Sequence, residues 1–196
     1  TVTLDGQGGD EAFAGYDGYP ANRMHSMIET GHLVDAARFA RAWAEWPGRE
    51  LVPMLTGSVG RLLPSSLQGR VLTQPLSPLL DRDALRERGI RTHYSANPND
   101  PARGARLKSQ LRTSLSSHGL PAILRNGDRN SMHFSVESRV PFLDRQLIQF
   151  VLSLPEHWLV GPDGTSKRIL RDAVRDFVPE EIVTRKDKLG FETPQN

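Results

Sequence analysis

The residues best suited to chemistry lie at the start of the chain, in the sequence TVTLDGQGGDEAFAGY. Val2 and Leu4 alternate with threonines, which predicts a short strand. Three glycines follow, Gly6, Gly8 and Gly9, and the chain then enters a helix-like segment. A strand that runs through a glycine-rich turn into a helix is a common phosphate-binding arrangement, because glycines let the backbone approach an anion and the first helical N–H groups point at it. The stretch therefore predicts a phosphate site.

Two acidic residues, Asp10 and Glu11, stand where this helix should begin. A carboxylate next to a polyphosphate is repulsive unless a divalent cation lies between them, and Mg²⁺ binds through one or two carboxylates plus phosphate oxygens. Asp10 is therefore a candidate Mg²⁺ ligand. The alternative is that both carboxylates only cap the helix and interact with the positive end of its dipole, because acidic caps are frequent at glycine-rich turns.

The composition limits the classes of protein to which the chain can belong. Its 196 residues suit one domain or most of one, with 37% hydrophobic and 24% charged residues. Cysteine is absent, so disulfides and thiolate metal sites are excluded, and we expect a cytoplasmic location. The net charge is only +2 and the basic residues are interspersed with acidic ones, which argues against nucleic-acid binding. There is no run of about 18 apolar residues, so we predict no membrane span.

The rest of the chain is patterned mainly as helices. Apolar residues at helical spacing, together with prolines and glycines at the ends of these segments, support this interpretation. The predicted helices are Leu33–Trp46, Leu51–Leu63, Leu107–Ser117, one from Gly119 through Met132, one from an Asp144 cap through Leu154, Ser166–Phe177 and a short one from Pro179. Loops are expected at 74–78 and 95–101.

Strand signals are few. The sequence SVESRVPFLD is expected to be extended up to Pro141, because the residue before a proline avoids the helical conformation. After the first strand, the only other clear strand candidate is Glu156–Val160. A lone strand at the N-terminus needs a sheet to join, since isolated strands are marginal in water. We therefore expect the chain to be the C-terminal part of a larger α/β domain whose parallel sheet lies mostly upstream.

Three blocks that contain several charged residues each stand out along the chain. They are LDGQGGDEAFAGY (4–16), DRNSMHFSVESRVPFLD (128–144), and SKRILRDAV with RKDKLGFETP (166–174 and 185–194). In this order they resemble the Ser/Asp-Gly-Glu/Gln-Gly-x-Asp-Glu, Asp-Arg-x-Ser-Met … Glu-x-Arg-x-Pro-Phe-Leu-Asp and Lys-x-x-Leu-Arg … Lys-x-Gly-Phe-x-x-Pro elements of glutamine-hydrolysing asparagine synthetases. The resemblance is to the C-terminal part of the ATP-dependent synthetase domain, and residues 21–117 match only in general character.

The resemblance implies an adenine-nucleotide α-hydrolase-like (PP-loop ATPase) α/β fold, of which residues 1–196 form the mostly α-helical C-terminal part with few strands. It also implies a ligase that uses ATP and Mg²⁺ to adenylate a carboxylate, usually the aspartate side chain, and releases pyrophosphate; ammonia from glutamine then gives asparagine. The family's upstream pyrophosphatase loop and N-terminal glutaminase domain are absent from these residues. We therefore expect the fragment alone to be inactive, and the full-length protein to carry a linked glutaminase domain, with a homodimer as one option.

The resemblance also implies roles for single residues. It places Asp5 and Gly6 against ATP and the adenylate, and makes Asp10 a ligand of the Mg²⁺–pyrophosphate complex. Lys167 and Lys188 are implied to face the leaving phosphates, and Lys188 is also counted as catalytic. A fixed ammonium there would stabilise the negative charge that accumulates on pyrophosphate. The alternative for Lys167 is a solvated lysine in the first turn of a helix.

Gln7 is implied to be catalytic, and it departs from relatives that carry glutamate at this place. An amide cannot act as a general base, so Gln7 would orient the substrate or the intermediate by hydrogen bonds. Asp128 and Arg129 are expected to face the substrate. Three further charged residues interleave with apolar ones, which favours a buried, paired network that supports the pocket. They are Glu137, Arg139 and Asp144.

Two other functions stay open. A β-lactam or macrolactam synthetase shares the adenylating core but uses an internal amine instead of ammonia. A non-catalytic helical interaction module is the alternative from another class of protein. Such a module would have no reason to keep Asp10, Lys167 and Lys188 together.

Overall fold

The computed structural model describes residues 1–49, 51–52, 54–55, 82–89, 104–117 and 119–186. This part of the chain is mostly helical and contains few strands, as predicted. In chain order its elements are β1 (Val2–Leu4), α1 (Gly9–Phe13), α2 (Tyr19–Glu29), α3 (Leu33–Ala44), α4 (Arg82–Glu87), α5 (Arg106–Ser116), α6 (Leu120–His133), β2 (Glu137–Arg139), a 3₁₀ turn (Pro141–Leu143), α7 (Arg145–Ser153), α8 (Glu156–Leu159), α9 (Arg168–Val174) and α10 (Glu180–Val183).

The two short strands form a parallel pair. Val2 lies opposite Glu137 and Leu4 lies opposite Arg139. The Asp5 N–H continues the ladder with a 2.8 Å hydrogen bond to the Arg139 carbonyl. The expectation that β1 is a lone strand within this chain is therefore wrong, because the extended SVESRVP stretch supplies its partner. The pairing brings the glycine turn after β1 next to the 3₁₀ turn after β2.

The segment predicted as a strand, Glu156–Val160, instead forms α8 and the residue after it. A proline stands just before the helix. Leu159 and Val160 are both fully buried, whereas a half-buried strand would bury alternate residues. Val160 makes one isolated antiparallel bridge, to Ser166. The burial of this segment therefore does not follow the alternation of a half-buried strand.

The predicted helices are confirmed where the structure describes them, and their observed ends differ from the predicted ones by up to three residues. The predicted cap of α7 is confirmed as well: Asp144 Oδ1 accepts hydrogen bonds from the N–H groups of Gln146 (2.9 Å) and Leu147 (3.0 Å). Of the predicted helix Leu51–Leu63, residues 51, 52, 54 and 55 are helical. Its remainder, and the predicted loops at 74–78 and 95–101, lie outside the described residues.

The core forms where α1 meets the longer helices. α2 packs against α3 and α5, and α1 packs against α5, α7 and α9. The inward faces bury large apolar side chains almost completely, among them Met24, Phe39, Leu107, Leu111 and Val151. α1 is only five residues long, so its position depends on these neighbours and not on its own helix propensity.

Glu29, at the end of α2, joins this helix to the start of α5. Its side chain is 9% exposed, and its carboxylate accepts hydrogen bonds from Arg106 Nε (3.0 Å, to Oε2) and Nη2 (2.5 Å, to Oε1). Burial alone would raise the pKa of Glu29, but the hydrogen bonds from Arg106 and from the Gly104 N–H hold that pKa below its ordinary value of 4.5.

We expect Glu29→Gln to lower the free energy of unfolding at pH 7 by about 1.5–3 kcal/mol, which is typical of hydrogen bonds to a charged group. Because the pKa is lower in the folded protein, this stabilisation is present above the ordinary glutamate pKa and is lost as the pH falls through the lower value. Urea unfolding should therefore show a smaller difference between wild type and variant at about pH 3.

Asp35→Asn, at an exposed carboxylate of α3, is the control for this measurement. It should change the free energy of unfolding by less than about 0.5 kcal/mol at either pH. An equal effect of Glu29→Gln at both pH values would contradict the ionised pair with Arg106.

Candidate active site

The glycine-rich turn connects β1 to α1. Asp5 Oδ1 accepts a 3.2 Å hydrogen bond from the Gln7 N–H, and the Gly6 carbonyl accepts one of 3.2 Å from the Gly9 N–H. Gly8 is the N-cap of α1 and has a left-handed backbone with a φ of +89°, which glycine adopts without steric cost. The predicted strand-to-helix turn is therefore present.

The backbone of this turn is closely packed on one side and open on the other. A Cβ added to Gly8 would overlap Leu143 Cδ2 and lie 2.5 Å from Leu143 Cγ. A Cβ added to Gly9 would lie 3.3 Å from Phe142 Cδ2. A Cβ on Gly6 would meet nothing within 4 Å in the part of the chain that the structure describes. Gly8 and Gly9 thus let the 3₁₀ turn pack on the loop, whereas Gly6 faces open space.

The structure brings Asp10 and Lys167 together. Asp10 lies in the first turn of α1, and its Oδ1 is 2.6 Å from Lys167 Nζ. The two side chains are 28% and 32% exposed. Lys167 precedes α9 with a left-handed backbone (φ 55°), and its N–H donates to the Phe13 carbonyl at 3.1 Å. The contact between α1 and α9 therefore forms a partly exposed ion pair beside the glycine turn.

This geometry differs from the simpler alternatives for both residues. The N-cap of α1 is Gly8, so Asp10 is not the cap, although the helix dipole still favours its negative charge. Lys167 is the N-cap of α9 and not a solvated lysine in its first turn. Both side chains are held by the tertiary fold.

Glu11 has a structural role that sequence patterning does not reveal. It is 3% exposed and accepts a 2.8 Å hydrogen bond from the Tyr16 hydroxyl. Burial of Tyr16 and its hydrogen bond to Glu11 raise the pKa of the Tyr16 phenol well above its ordinary value of 10.0. The phenol therefore stays protonated, and its hydrogen bond ties the segment after α1 to the first turn of that helix.

The remaining predicted site residues are not gathered in this way. Gln7 is half-buried within the turn. Asp128 and Arg129 are exposed on α6, which packs on β2 and α5. Lys188 lies outside the described residues. The roles expected for these four residues stay predictions.

The expected network around β2 is paired but not buried, which corrects the prediction. The side chains of Glu137 and Arg139 are 54% and 63% exposed, and they pair with each other at 2.8 Å. They are two residues apart on a strand and therefore share one face of it. Asp144 uses its carboxylate to cap α7 and takes no part in that pair.

The described residues contain neither a cluster of metal ligands nor a membrane-spanning helix. Within these ranges, no three His, Cys, Asp or Glu side chains gather into a group that could hold a metal ion. None of the helices in the same part of the chain is both long enough and apolar enough to span a bilayer.

The chain is similar to several known proteins. It is 28% identical over 223 residues to glutamine-hydrolysing asparagine synthetase 1 of Bacillus subtilis (strain 168), an alignment that covers 99% of this chain and 31% of the relative. It is 38% identical over 60 residues to the glutamine-hydrolysing asparagine synthetase of Rattus norvegicus, which covers 30% of this chain and 11% of the relative. It is 24% identical over 214 residues to amidase chyE of Penicillium rubens, with 96% and 32% covered. No solved structure matches it significantly.

The chain thus spans about a third of the length of the relatives that align along most of it. The mostly helical architecture with few strands is consistent with a fragment of an α/β PP-loop domain. The family model for asparagine synthase matches residues 1–196, the whole of the chain. This chain therefore belongs to the asparagine synthase family.

Proposed function

We propose that this chain forms part of an ATP-dependent ligase of asparagine biosynthesis. The enzyme adenylates the aspartate side chain, releases pyrophosphate, and transfers ammonia that a linked glutaminase domain takes from glutamine. The observation that supports this most is the Asp10–Lys167 ion pair beside the glycine turn. Family membership and the asparagine synthetases among the relatives support the ligase class.

Lys167 supplies the charge that the first step needs. When a carboxylate oxygen attacks the α-phosphorus of ATP, the bond from that phosphorus to the bridging oxygen breaks, and negative charge builds up on the leaving pyrophosphate. The Lys167 backbone is held by its hydrogen bond to Phe13 and its ammonium by Asp10. An ammonium held in this way stabilises the developing charge without reorganising. We propose the same role for Lys188.

Asp5 and Gly6 hold the adenylate in this proposal. A nucleotide can approach the backbone closely at Gly6, because the space on that side of the turn is open among the described residues. Ammonia then attacks the acyl carbon, AMP leaves, and the attacking nitrogen gives one proton to water. The Gln7 amide cannot take this proton and orients the acyl-adenylate instead. Asp128 and Arg129 face the carboxylate substrate.

Mg²⁺ is the metal that the family implies, and Asp10 fits it as a single carboxylate ligand. Mg²⁺ keeps several waters and takes one or two carboxylates plus phosphate oxygens of the substrate, so it needs no cluster of protein ligands. No such cluster is found in the described ranges. Asp10 would hold the ion at the phosphates, and the ion would neutralise part of their charge.

A second candidate function is amide formation with a different acceptor, as in β-lactam and macrolactam synthetases. The relative from Penicillium rubens, which is 24% identical and aligns over 96% of this chain, is named an amidase and not an asparagine synthetase, so similarity over the whole chain does not by itself fix the acceptor. A non-catalytic interaction module, in contrast, would use the ion pair between Asp10 and Lys167 only to join α1 to α9.

ATP–pyrophosphate exchange by the full-length protein tests the proposal. We expect exchange that requires both aspartate and Mg²⁺, and formation of asparagine, AMP and pyrophosphate when glutamine or ammonia is added. Glutamate and a β-amino acid are the control acceptors. Exchange with none of these carboxylates by folded protein would refute the ligase function, and exchange with the β-amino acid alone would favour the second candidate.

A further inference from the structure

Gly15 lies where the two partners of the ion pair meet. A Cβ placed on Gly15 would overlap Asp10 Oδ1 and Lys167 Cε, and it would lie 2.8 Å from Asp10 Cγ. Ordinary contacts between carbon atoms lie at about 3.5–4.0 Å. The backbone of Gly15 is outside the left-handed region, so an alanine would meet no strain from its own φ. The ion pair, and not the backbone, is what requires glycine at this position.

The segment that carries Gly15 is fixed to both partners. Ala14 ends α1 with a left-handed backbone, and the Gly15 N–H donates to the Asp10 carbonyl at 2.9 Å. The carbonyl of Phe13 accepts the 3.1 Å hydrogen bond from the Lys167 N–H. These bonds hold the Gly15 backbone against α1 on one side and against the start of α9 on the other. The carboxylate and the ammonium therefore meet in the space that a side chain at Gly15 would fill.

We propose that Gly15 is a positioning residue for adenylation: because it has no side chain, the Asp10 carboxylate and the Lys167 ammonium meet beside its Cα. The proposal rests on the function proposed above for that pair. The atoms that an added methyl group would strike are the ends of two flexible side chains, which can move while the backbone stays in place. Gly15 thus acts through the pair and does not contact the substrate.

Gly15→Ala should therefore slow ATP–pyrophosphate exchange while the domain stays folded. A displacement of about 1 Å can cost roughly 10²-fold in rate, and we expect a fall of that size in kcat with a smaller change in the KM for aspartate. Gly18→Ala is the matched control, because a Cβ on Gly18 meets nothing within 4 Å among the described residues and its φ is −76°. Its exchange rate should equal that of wild type, and its melting temperature should fall only slightly, because alanine is a poorer N-cap for α2 than glycine.

Labelling of Lys167 gives a second readout that does not depend on catalysis. Mass spectrometry after brief exposure to an amine-reactive reagent measures how well Asp10 shields the Lys167 amine. We expect Gly15→Ala and Asp10→Ala to raise labelling several-fold, and Gly18→Ala to leave it unchanged. Exchange and labelling in Gly15→Ala that equal the Gly18→Ala values would overturn the proposal. Raised labelling in Gly15→Ala, with no exchange by wild type, would support the positioning role and refute the proposed function.

A double variant keeps the test decisive if Gly15→Ala does not fold. In the Asp10→Ala background the carboxylate that the new methyl group would strike is gone, and the Lys167 side chain, which it would also strike, is no longer held by Asp10 and is free to turn away. Adding Gly15→Ala there should therefore give a folded protein, because the effects of two residues in contact are not additive. A double variant that also fails to fold would show that Gly15 serves the backbone, and the positioning role would be overturned.

Discussion

Gly6→Val should abolish carboxylate-dependent ATP–pyrophosphate exchange in the full-length protein and leave the domain folded, whereas Gly8→Ala should destabilise it. A side chain at Gly6 projects into the open space proposed for the adenylate. At Gly8 the left-handed backbone costs an alanine about 1–2 kcal/mol, and the overlap with Leu143 costs about 1–3 kcal/mol more. Substitutions at two glycines of one turn should thus have different effects, the one at Gly6 on ligand binding and the one at Gly8 on folding.

Chemical denaturation and exchange assays on both variants measure this difference. Gly31→Ala is the control for backbone strain, because Gly31 has a φ of +82° and a Cβ there meets nothing within 4 Å in the described part of the chain. The additional loss of stability in Gly8→Ala then measures the contact with Leu143. Exchange at the wild-type rate by Gly6→Val would show that the adenylate does not lie against this part of the turn.

Lys167→Ala should slow adenylate formation by about 10²–10³-fold, the usual cost of removing one preorganised contact to a developing charge. ATP binding should weaken much less, because the Lys167 ammonium matters most as pyrophosphate leaves. Pre-steady-state measurement of adenylate formation, beside ATP titration, separates the two effects. A change confined to the KM for ATP would show that the assigned role is wrong.

Lys108→Ala is the matched control for the loss of one lysine, since the Lys108 ammonium contacts the Ser153 carbonyl and not the Asp10 carboxylate.

Asp10→Asn examines the other half of the pair. ATP binding by this variant should stay measurable but depend much less on Mg²⁺, because an amide is a poorer ligand than a carboxylate for this cation. Unchanged Mg²⁺ dependence with reduced thermal stability would favour a purely structural role for Asp10, at the positive end of the α1 dipole and in the ion pair with Lys167.

Sequence patterns that span only a few residues determine most of the described helices and strands of this chain. Asp144 caps α7 because its carboxylate reaches N–H groups two and three residues further on. The glycine turn follows from the sequence because a φ of +89°, as at Gly8, suits glycine above all other residues. The three ordered blocks were also enough to indicate the family that the comparison over residues 1–196 confirms.

Packing decides the conformation of segments whose local sequence pattern fits more than one structure. Glu156–Val160 has strand-like composition, yet residues 156–159 form α8, and Leu159 at its end and the extended Val160 after it are both buried in the folded chain. The partner of β1 is also a tertiary property. The stretch SVESRVP is recognisably extended, but nothing within it says which strand it joins, since the ladder connects residues that are far apart in the chain.

The candidate site depends both on the residue types in the sequence and on the packing of the helices. The residue types of Asp10 and Lys167, within blocks typical of the family, were enough to predict that these two act on phosphate and Mg²⁺. Only the packing of α1 against α9 put their charged atoms 2.6 Å apart, and only that contact made a glycine necessary at Gly15. The reason is that side-chain chemistry belongs to each residue, whereas the distance between residues far apart in the chain is set by which helix faces are buried against each other.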